Sequence, residues 1–125
     1  MDSSPGGIIG AAIEVHRALG PGLLESAYQA CLAQELVTRG HAIECEKPLR
    51  VSYKGVELDC AYRLDVVVEG RVVVEVKTVS RIEPVHEAQI ISYLKLSGCP
   101  LGLLINFHAP RLIHGVRRFV NQLPE

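Results

Sequence analysis

Three charged residues interrupt segments that otherwise have the composition of buried strands. Asp65 lies within RLDVVV at 63–68, and Glu75 and Lys77 lie within VVVEVK at 72–77. Charged side chains are rarely buried without partners, so these residues either sit at solvated strand ends or serve a site. Carboxylates from adjacent strands suit Mg²⁺ or Mn²⁺, and a nearby lysine can orient water or neutralise a phosphate. The set supports metal-assisted phosphodiester hydrolysis; an ordinary cross-strand charge cluster is the alternative.

The turn at Glu69-Gly70 decides whether the two carboxylates meet. Side chains alternate along a strand, so a two-residue loop would turn Asp65 away from Glu75. A three-residue loop over 68–70, with the glycine left-handed, is also common and puts both carboxylates on one face. A β-bulge has the same effect. The metal-site hypothesis therefore predicts an odd-length loop or a bulge.

Three further polar residues lie on predicted helices. Glu25 is in the first turn of a helix predicted over 23–39, where a favourable dipole interaction explains it on its own. It also lies at the edge of the buried stripe, within reach of a metal held by the sheet. Gln89 and Tyr93 are four residues apart on a helix predicted over 85–97 and share a face. Both can hydrogen-bond a phosphate or the strand lysine, and an amphipathic helix edge accounts for them equally well.

The periodicity of apolar residues predicts the elements that must position these groups. A first helix is predicted from Ile8 to Leu19, and the helix over 23–39 has Leu24, Tyr28, Cys31, Leu32 and Leu36 facing inward. Strands are predicted over 43–53, 56–68, 71–78, 101–107 and 112–120. The order α-α-β-β-β-α-β-β indicates a mixed sheet flanked by helices. His16 is interpreted as a hydrogen-bonded core histidine, and Asn106 and His108 as turn formers.

Length and composition predict one globular domain over 8–125 after a disordered tail, 1–7. Of the 125 residues 48% are hydrophobic and 22% charged, and the formal net charge is −1, so any nucleic-acid surface must be local. Four cysteines without a CxxC pair argue against a zinc ribbon. With no signal peptide and no apolar run of ~20 residues, we expect free thiols, a cytoplasmic location and no membrane partner.

GLLESAY at 22–28 resembles the signature of the GxxExxY family, a branch of the PD-(D/E)XK nuclease superfamily. The segments YRLDVVVEGRVVVEVKTV, HEAQIISYLKLSG and GLLINF follow in the same order as in that family. Each piece alone is a weak signal, but their order from about Ile8 to Val120 is specific. The resemblance implies an α/β fold with a restriction-endonuclease-like αβββαβ core. Leu64 stands where the superfamily often has proline, and the acid after it is intact.

The resemblance also implies roles for individual residues. Asp65, Glu75 and the Val76 carbonyl would ligate Mg²⁺ or Mn²⁺, with Glu25 bound directly or through water. Lys77 would be the catalytic lysine. The residues that match a Q-x-x-x-Y element and would position the substrate are Gln89 and Tyr93.

We therefore expect a magnesium-dependent nuclease that acts on DNA. RNA as a substrate and a homodimer or larger complex as the assembly stay open. The alternative is a catalytically silent nuclease-fold module for dimerisation or nucleic-acid binding. The sequence does not separate a nuclease from a hydrolase of another phosphate ester.

Overall fold

A computed structural model describes residues 4–122. These residues form three α-helices, five strands and a short 3₁₀ helix: α1 (Pro5–Leu19), α2 (Glu25–Thr38), β1 (Ile43–Tyr53), β2 (Val56–Val68), β3 (Val72–Lys77), α3 (Pro84–Ser97), β4 (Leu101–Asn106), the 3₁₀ helix (Leu112–Gly115) and β5 (Val116–Val120). The sheet has the order β1-β2-β3-β4-β5, with β3 and β4 parallel and the other neighbours antiparallel. The predicted mixed α/β sheet is confirmed.

One apolar cluster lies on each face of the sheet, between the strands and the helices. Under α1 and α2, Tyr28 stacks on Phe107 with ring centroids 4.7 Å apart, next to Val74. Under α3, Leu94 packs in a second cluster that includes Val73. Burial on both faces explains why β3 and β4 read as nearly continuous apolar runs. No helix within residues 4–122 is long and apolar enough to cross a membrane.

Helix α1 begins earlier than the sequence predicts. Pro5 to Gly7, assigned to a disordered tail, form the first turn of the helix. The Ser4 side chain caps the helix by accepting a hydrogen bond from the Gly7 N–H at 3.4 Å, and proline suits the first helical position. Residues 1–3 of the predicted tail lie outside the described residues.

Two residues predicted to face inward from α2 are exposed. Leu24 precedes the helix as its N-cap residue and is 78% exposed, and Cys31 lies on the flank of the helix. The buried stripe is narrower than predicted because only residues four apart, Tyr28, Leu32 and Leu36, face the sheet. All four cysteines are free, as expected.

The last strand is shorter than predicted. Leu112–Gly115 forms a 3₁₀ helix, and only Val116–Val120 pairs with β4. A Cβ on Gly115 would lie 2.5 Å from the Asn106 carbonyl oxygen, so the chain packs closely against the end of β4 before it can extend. The bounds of β1 and β2 are as predicted, and those of α2, β3, α3 and β4 differ from prediction by one or two residues.

Candidate active site

The turn between β2 and β3 sets the register of the candidate site. The ladder pairs Val68 with Val72, which leaves three residues in the loop. The predicted odd-length loop is confirmed, but it spans 69–71 instead of 68–70. Gly70 is left-handed as predicted, with φ 64°. Moving the loop by one residue shifts the pairing by two residues, so Asp65 comes to lie opposite Glu75 and not opposite Val73.

Continued along the strands, this register places Asp65 opposite Glu75. The Asp65 N–H donates to Glu75 Oε2 at 2.9 Å, and the Val76 N–H donates to Asp65 Oδ2 at 2.8 Å. Each carboxylate therefore accepts a backbone hydrogen bond from the opposing strand, just beyond the last paired residues. The other oxygens, Asp65 Oδ1 and Glu75 Oε1, make no hydrogen bond within residues 4–122. They are the oxygens free to bind a ligand.

The alternation of side chains along β2 breaks at the site. Val66 packs in the cluster under α1 and α2, whereas Leu64 packs in the cluster under α3. Residues two apart on a strand normally face the same side, so the pleat inverts between them, at Asp65. Glu46 on β1 lies opposite Asp65 in the same register and has φ 52°, which is uncommon for a residue other than glycine. The inversion takes Asp65 out of the regular alternation.

Burial dominates the electrostatics of the carboxylate pair. Glu75 is only 3% exposed, and loss of hydration, followed by repulsion from Asp65, raises its pKa to about 8. Burial also raises the pKa of Asp65, while the Val76 N–H and the Lys77 charge act in the opposite direction. The positive charge of Lys77 lowers the pKa of Glu75 too, but burial outweighs it. The pair thus lacks enough positive charge to hold both carboxylates ionised.

Two exposed carboxylates flank the pair, and a glutamine joins one of them to β2. The negative charges of Glu25 and Glu46 both raise the pKa of Asp65. Gln29 Nε2 donates to Glu46 Oε1 at 2.7 Å and to the Asp65 carbonyl at 3.3 Å. Sequence reasoning missed Gln29 and Glu46. The signal available for Gln29 was its position one helical turn after Glu25.

The segment 22–28 fixes the start of α2. Gly22 has φ 109°, which suits a glycine. The Tyr28 hydroxyl accepts the Leu23 N–H at 3.1 Å and donates to the Gly20 carbonyl, which closes the turn before the helix. Glu25 is exposed and makes no hydrogen bond of its side chain in the described part of the chain. The charge of Glu25 therefore acts on Asp65, but no hydrogen bond holds the Glu25 side chain against the carboxylate pair.

Helix α3 supplies the other wall of the site. Val73 packs under α3, so by alternation Glu75 and Lys77 also point to that side. Lys77 Nζ donates to Gln89 Oε1 at 3.2 Å, which confirms the predicted reach of this glutamine to the strand lysine. One turn later, Tyr93 is 7% exposed and packs edge-on against an aromatic ring of β2 at 5.9 Å.

The charges of the carboxylate pair also act on the Tyr93 hydroxyl. Burial raises the pKa of its hydroxyl, and the charge of Glu75 raises it further. A shallow groove of about 420 Å³ opens beside Tyr93 and Gln89, lined partly by Tyr62 of β2. The two residues predicted to position a substrate therefore line an open groove, with Gln89 bonded to Lys77 and Tyr93 close enough to Glu75 for its charge to act on the hydroxyl.

The donor set fits a hard divalent cation. The N–H and C=O of one strand residue point to the same edge of the strand, so the Val76 carbonyl points to the side where its N–H meets Asp65. Two carboxylates and a carbonyl are ligands that Mg²⁺ or Mn²⁺ accepts, and Mg²⁺ commonly keeps several waters. Within residues 4–122, no three His, Cys, Asp or Glu side chains converge as a metal group. Glu25 as a direct ligand stays a prediction.

The histidine and asparagine outside the site have structural roles. His16 Nε2 lies 2.9 Å from the Ala109 carbonyl, which confirms the predicted hydrogen bond, although the half-buried ring lies at the edge of the core and not within it. Asn106 Nδ2 donates to the Val79 carbonyl at 2.8 Å, and its Oδ1 accepts the N–H groups of Val79 and His108, both at 3.1 Å. Asn106 is thus the predicted turn former, and it ties the end of β4 to the segment after β3.

A mixed sheet with helices on both faces, and with a carboxylate pair and a lysine on adjacent central strands, is consistent with a restriction-endonuclease-like fold. A family model described as the PD-(D/E)XK nuclease superfamily matches residues 3–119. The chain therefore belongs to the PD-(D/E)XK nuclease superfamily. No curated protein and no solved structure matches it.

Membership of this superfamily indicates a nuclease with a nucleic-acid substrate, and such nucleases generally use divalent metals. The finer assignment to the GxxExxY branch stays a prediction.

Proposed function

We propose that the chain is a metal-dependent nuclease that hydrolyses phosphodiester bonds in DNA. The observation that carries this proposal is the reciprocal bonding of Asp65 and Glu75, each accepting a backbone N–H from the opposing strand. A cluster that only stabilised the fold would pair each buried carboxylate with a cation. Here Lys77, the cation whose charge lowers the pKa of both carboxylates, donates to the amide oxygen of Gln89 instead.

In this proposal Asp65, Glu75 and the Val76 carbonyl would hold the cation. When bound, Mg²⁺ or Mn²⁺ would supply polarisation of the scissile phosphate and activation of a water. Lys77 orients the attacking water and neutralises negative charge on the phosphate. Gln89 fixes the lysine by accepting its hydrogen bond, so the amine is positioned before the substrate arrives.

Two residues act at the margin of the proposed site. The Tyr93 hydroxyl positions the nucleic-acid backbone, since Tyr93 lines the groove and the charge of Glu75 raises the pKa of its hydroxyl. Glu25 approaches the cation through water from the start of α2, since its charge is felt by Asp65 although its side chain is exposed.

The test is cleavage of linear, circular and single-stranded DNA, and of RNA, with Mg²⁺ or Mn²⁺. Lys77→Ala and Asp65→Asn should each reduce cleavage by about 10²-fold or more, the scale of a lost proton-transfer or positioning group. Lys95→Ala, which removes an exposed lysine of α3, is the matched control and should cleave normally. Cleavage that survives in both site variants would place the activity elsewhere.

A second measurement separates the nuclease from a catalytically silent module. A cation that binds only the native state must raise the Tm. The wild type should therefore show a Tm that rises with millimolar Mg²⁺, and Asp65→Asn should not. Neither cleavage nor a metal-dependent Tm in the wild type would favour the silent module.

A further inference from the structure

A second cleft, of about 400 Å³, opens at the carboxyl ends of β3 and β4. Its lining includes two guanidinium groups and two imidazole rings, from Arg81, Arg117, His108 and His114. No carboxylate is among the described residues that line it. Because the whole chain has a formal net charge of −1, this cleft is a local concentration of cationic and hydrogen-bond-donating groups.

Arg117 is held in place without being neutralised. Its Nη1 donates to the carbonyls of His114 at 3.2 Å and Val116 at 3.3 Å. No carboxylate of residues 4–122 forms an ion pair with it. The guanidinium has five N–H donors, so most remain for a ligand. Arg81 differs, since Glu83 Oε1 lies 3.0 Å from its Nε.

The cleft lies on the same side of the sheet as the candidate active site. Lys77 pairs with Asn106 in the β3–β4 register, and Asn106 lines the cleft. Phe119 of β5 packs in the cluster under α3, so Arg117, two residues earlier, faces that side as well. Because neighbouring strands lie about 4.8 Å apart, β5 is roughly 10 Å from β3.

We propose that this cleft binds a backbone phosphate of the nucleic acid that flanks the scissile bond. The inference rests on the proposed function and deepens it. Guanidinium groups bind phosphate through paired N–H···O bonds, and the imidazoles of His108 and His114 add ring N–H donors. A separation of roughly 10 Å between β3 and β5 lies within the span of a few nucleotides of one strand, whose rise along the duplex axis is about 3.4 Å each. Such a contact positions the strand without reading its sequence.

The test is fluorescence anisotropy with short labelled DNA, single-stranded and duplex, in EDTA so that nothing is cleaved. Arg117→Gln should raise the Kd about 5- to 10-fold and reduce the slope of log K against log salt by about 0.7–0.9. Arg118→Gln is the matched control, because it removes the same charge from the next, exposed residue of β5, which does not line the cleft. Its Kd should stay within about twofold of the wild type.

Two outcomes would overturn the proposal: an Arg117→Gln Kd equal to that of the wild type, or an equal loss in Arg118→Gln. Circular dichroism and Tm of both variants show whether either loss reflects unfolding. Inorganic phosphate is titrated in parallel by calorimetry. Phosphate binding that depends on Arg117, with no effect of Arg117→Gln on DNA binding, would assign the cleft to free phosphate and also overturn the proposal.

The measurements distinguish an error in the proposed phosphate site from an error in the proposed nuclease activity. If DNA binding depends on Arg117 but the wild type cleaves no nucleic acid, phosphate binding in the cleft is supported and the proposed nuclease activity is refuted. Metal-dependent cleavage with an unchanged KM and Kd in Arg117→Gln would keep the activity and remove the cleft. A wild type that neither binds nor cleaves nucleic acid would remove both.

Discussion

Replacing Glu75 by glutamine should stabilise the metal-free protein while abolishing its proposed activity. The pKa of Glu75 is raised from 4.5 to about 8 in the folded chain, first by burial and then by Asp65. The folded state therefore keeps a proton that the unfolded state releases over this pH range. Since the folded-state pKa of an acid is raised, stability is highest below pH 4.5 and falls as the pH rises to about 8. Glutamine stays neutral and can still accept the Asp65 N–H.

The magnitude follows from about 1.4 kcal/mol per pKa unit. The two pKa values of Glu75 give the loss in the free energy of unfolding that follows because the residue ionises more readily in the unfolded state. This loss is about 1 kcal/mol at pH 5, about 3 kcal/mol at pH 7 and about 4 kcal/mol at pH 8. These are upper values, because Asp65 shares the proton. For a domain of this size 3 kcal/mol corresponds to a Tm difference on the order of 10 °C. The variant should therefore be more stable at every pH in this range, by a margin that widens with pH.

The assay is urea unfolding of the wild type and Glu75→Gln in EDTA from pH 5 to pH 8. Glu57→Gln is the control, since Glu57 is an exposed carboxylate of β2, and it should keep the pH slope of the wild type. Added Mg²⁺ should stabilise the wild type but not Glu75→Gln. Equal pH slopes for the wild type and Glu75→Gln, or a less stable Glu75→Gln at pH 8, would refute the reasoning.

Four further changes have defined outcomes. Below pH 8 the apparent Mg²⁺ affinity of the wild type should rise up to about tenfold per pH unit, because binding releases a proton; calorimetry in buffers of different ionisation enthalpy measures this release. Gln89→Glu should lower kcat by roughly tenfold with an unchanged or higher Tm, because a carboxylate would pair with Lys77. Gln29→Ala should lose about 1 kcal/mol in urea unfolding with its two hydrogen bonds. Gly115→Ala should lose about 1–3 kcal/mol in the same assay, because its Cβ would meet the Asn106 carbonyl.

The sequence predicted those parts of the fold whose signals are local. The end of the helix predicted over 23–39 illustrates this: Gly40, the next residue, has φ 91°, its N–H bonds to the Val37 carbonyl at 2.9 Å, and the His41 N–H bonds to the Leu36 carbonyl at 3.0 Å. This is the hydrogen-bond pair of a Schellman motif, which favours glycine at that position. Alternation of side chains, combined with the metal-site hypothesis, likewise predicted an odd-length loop or a bulge before β3. Its placement one residue later was not predictable, because Glu69 takes φ 54° without being glycine.

The parts of the site that sequence reasoning missed depend on contacts between distant segments. The pleat inversion at Asp65 accompanies a left-handed Glu46, and glutamate has no intrinsic preference for that conformation. The bonds of Gln29 depend on how α2 lies over β1 and β2. The pKa of Glu75 depends on burial, and a strand pattern does not say how deep a carboxylate lies. These features arise only when distant segments pack together, so no local sequence pattern predicts them.

The same two carboxylates both support the hairpin and oppose its folding. Their hydrogen bonds to the opposing backbone continue the pairing of β2 and β3 beyond the ladder, whereas their charges repel each other in a site with little water. A proton on Glu75 relieves that repulsion, and a divalent cation relieves it as well, so the two compete for the same oxygens. The lysine is then not needed as the counter-ion. Gln89, a neutral acceptor, holds Lys77 without cancelling its charge, and that charge stays available for the water and phosphate on which the proposed hydrolysis depends.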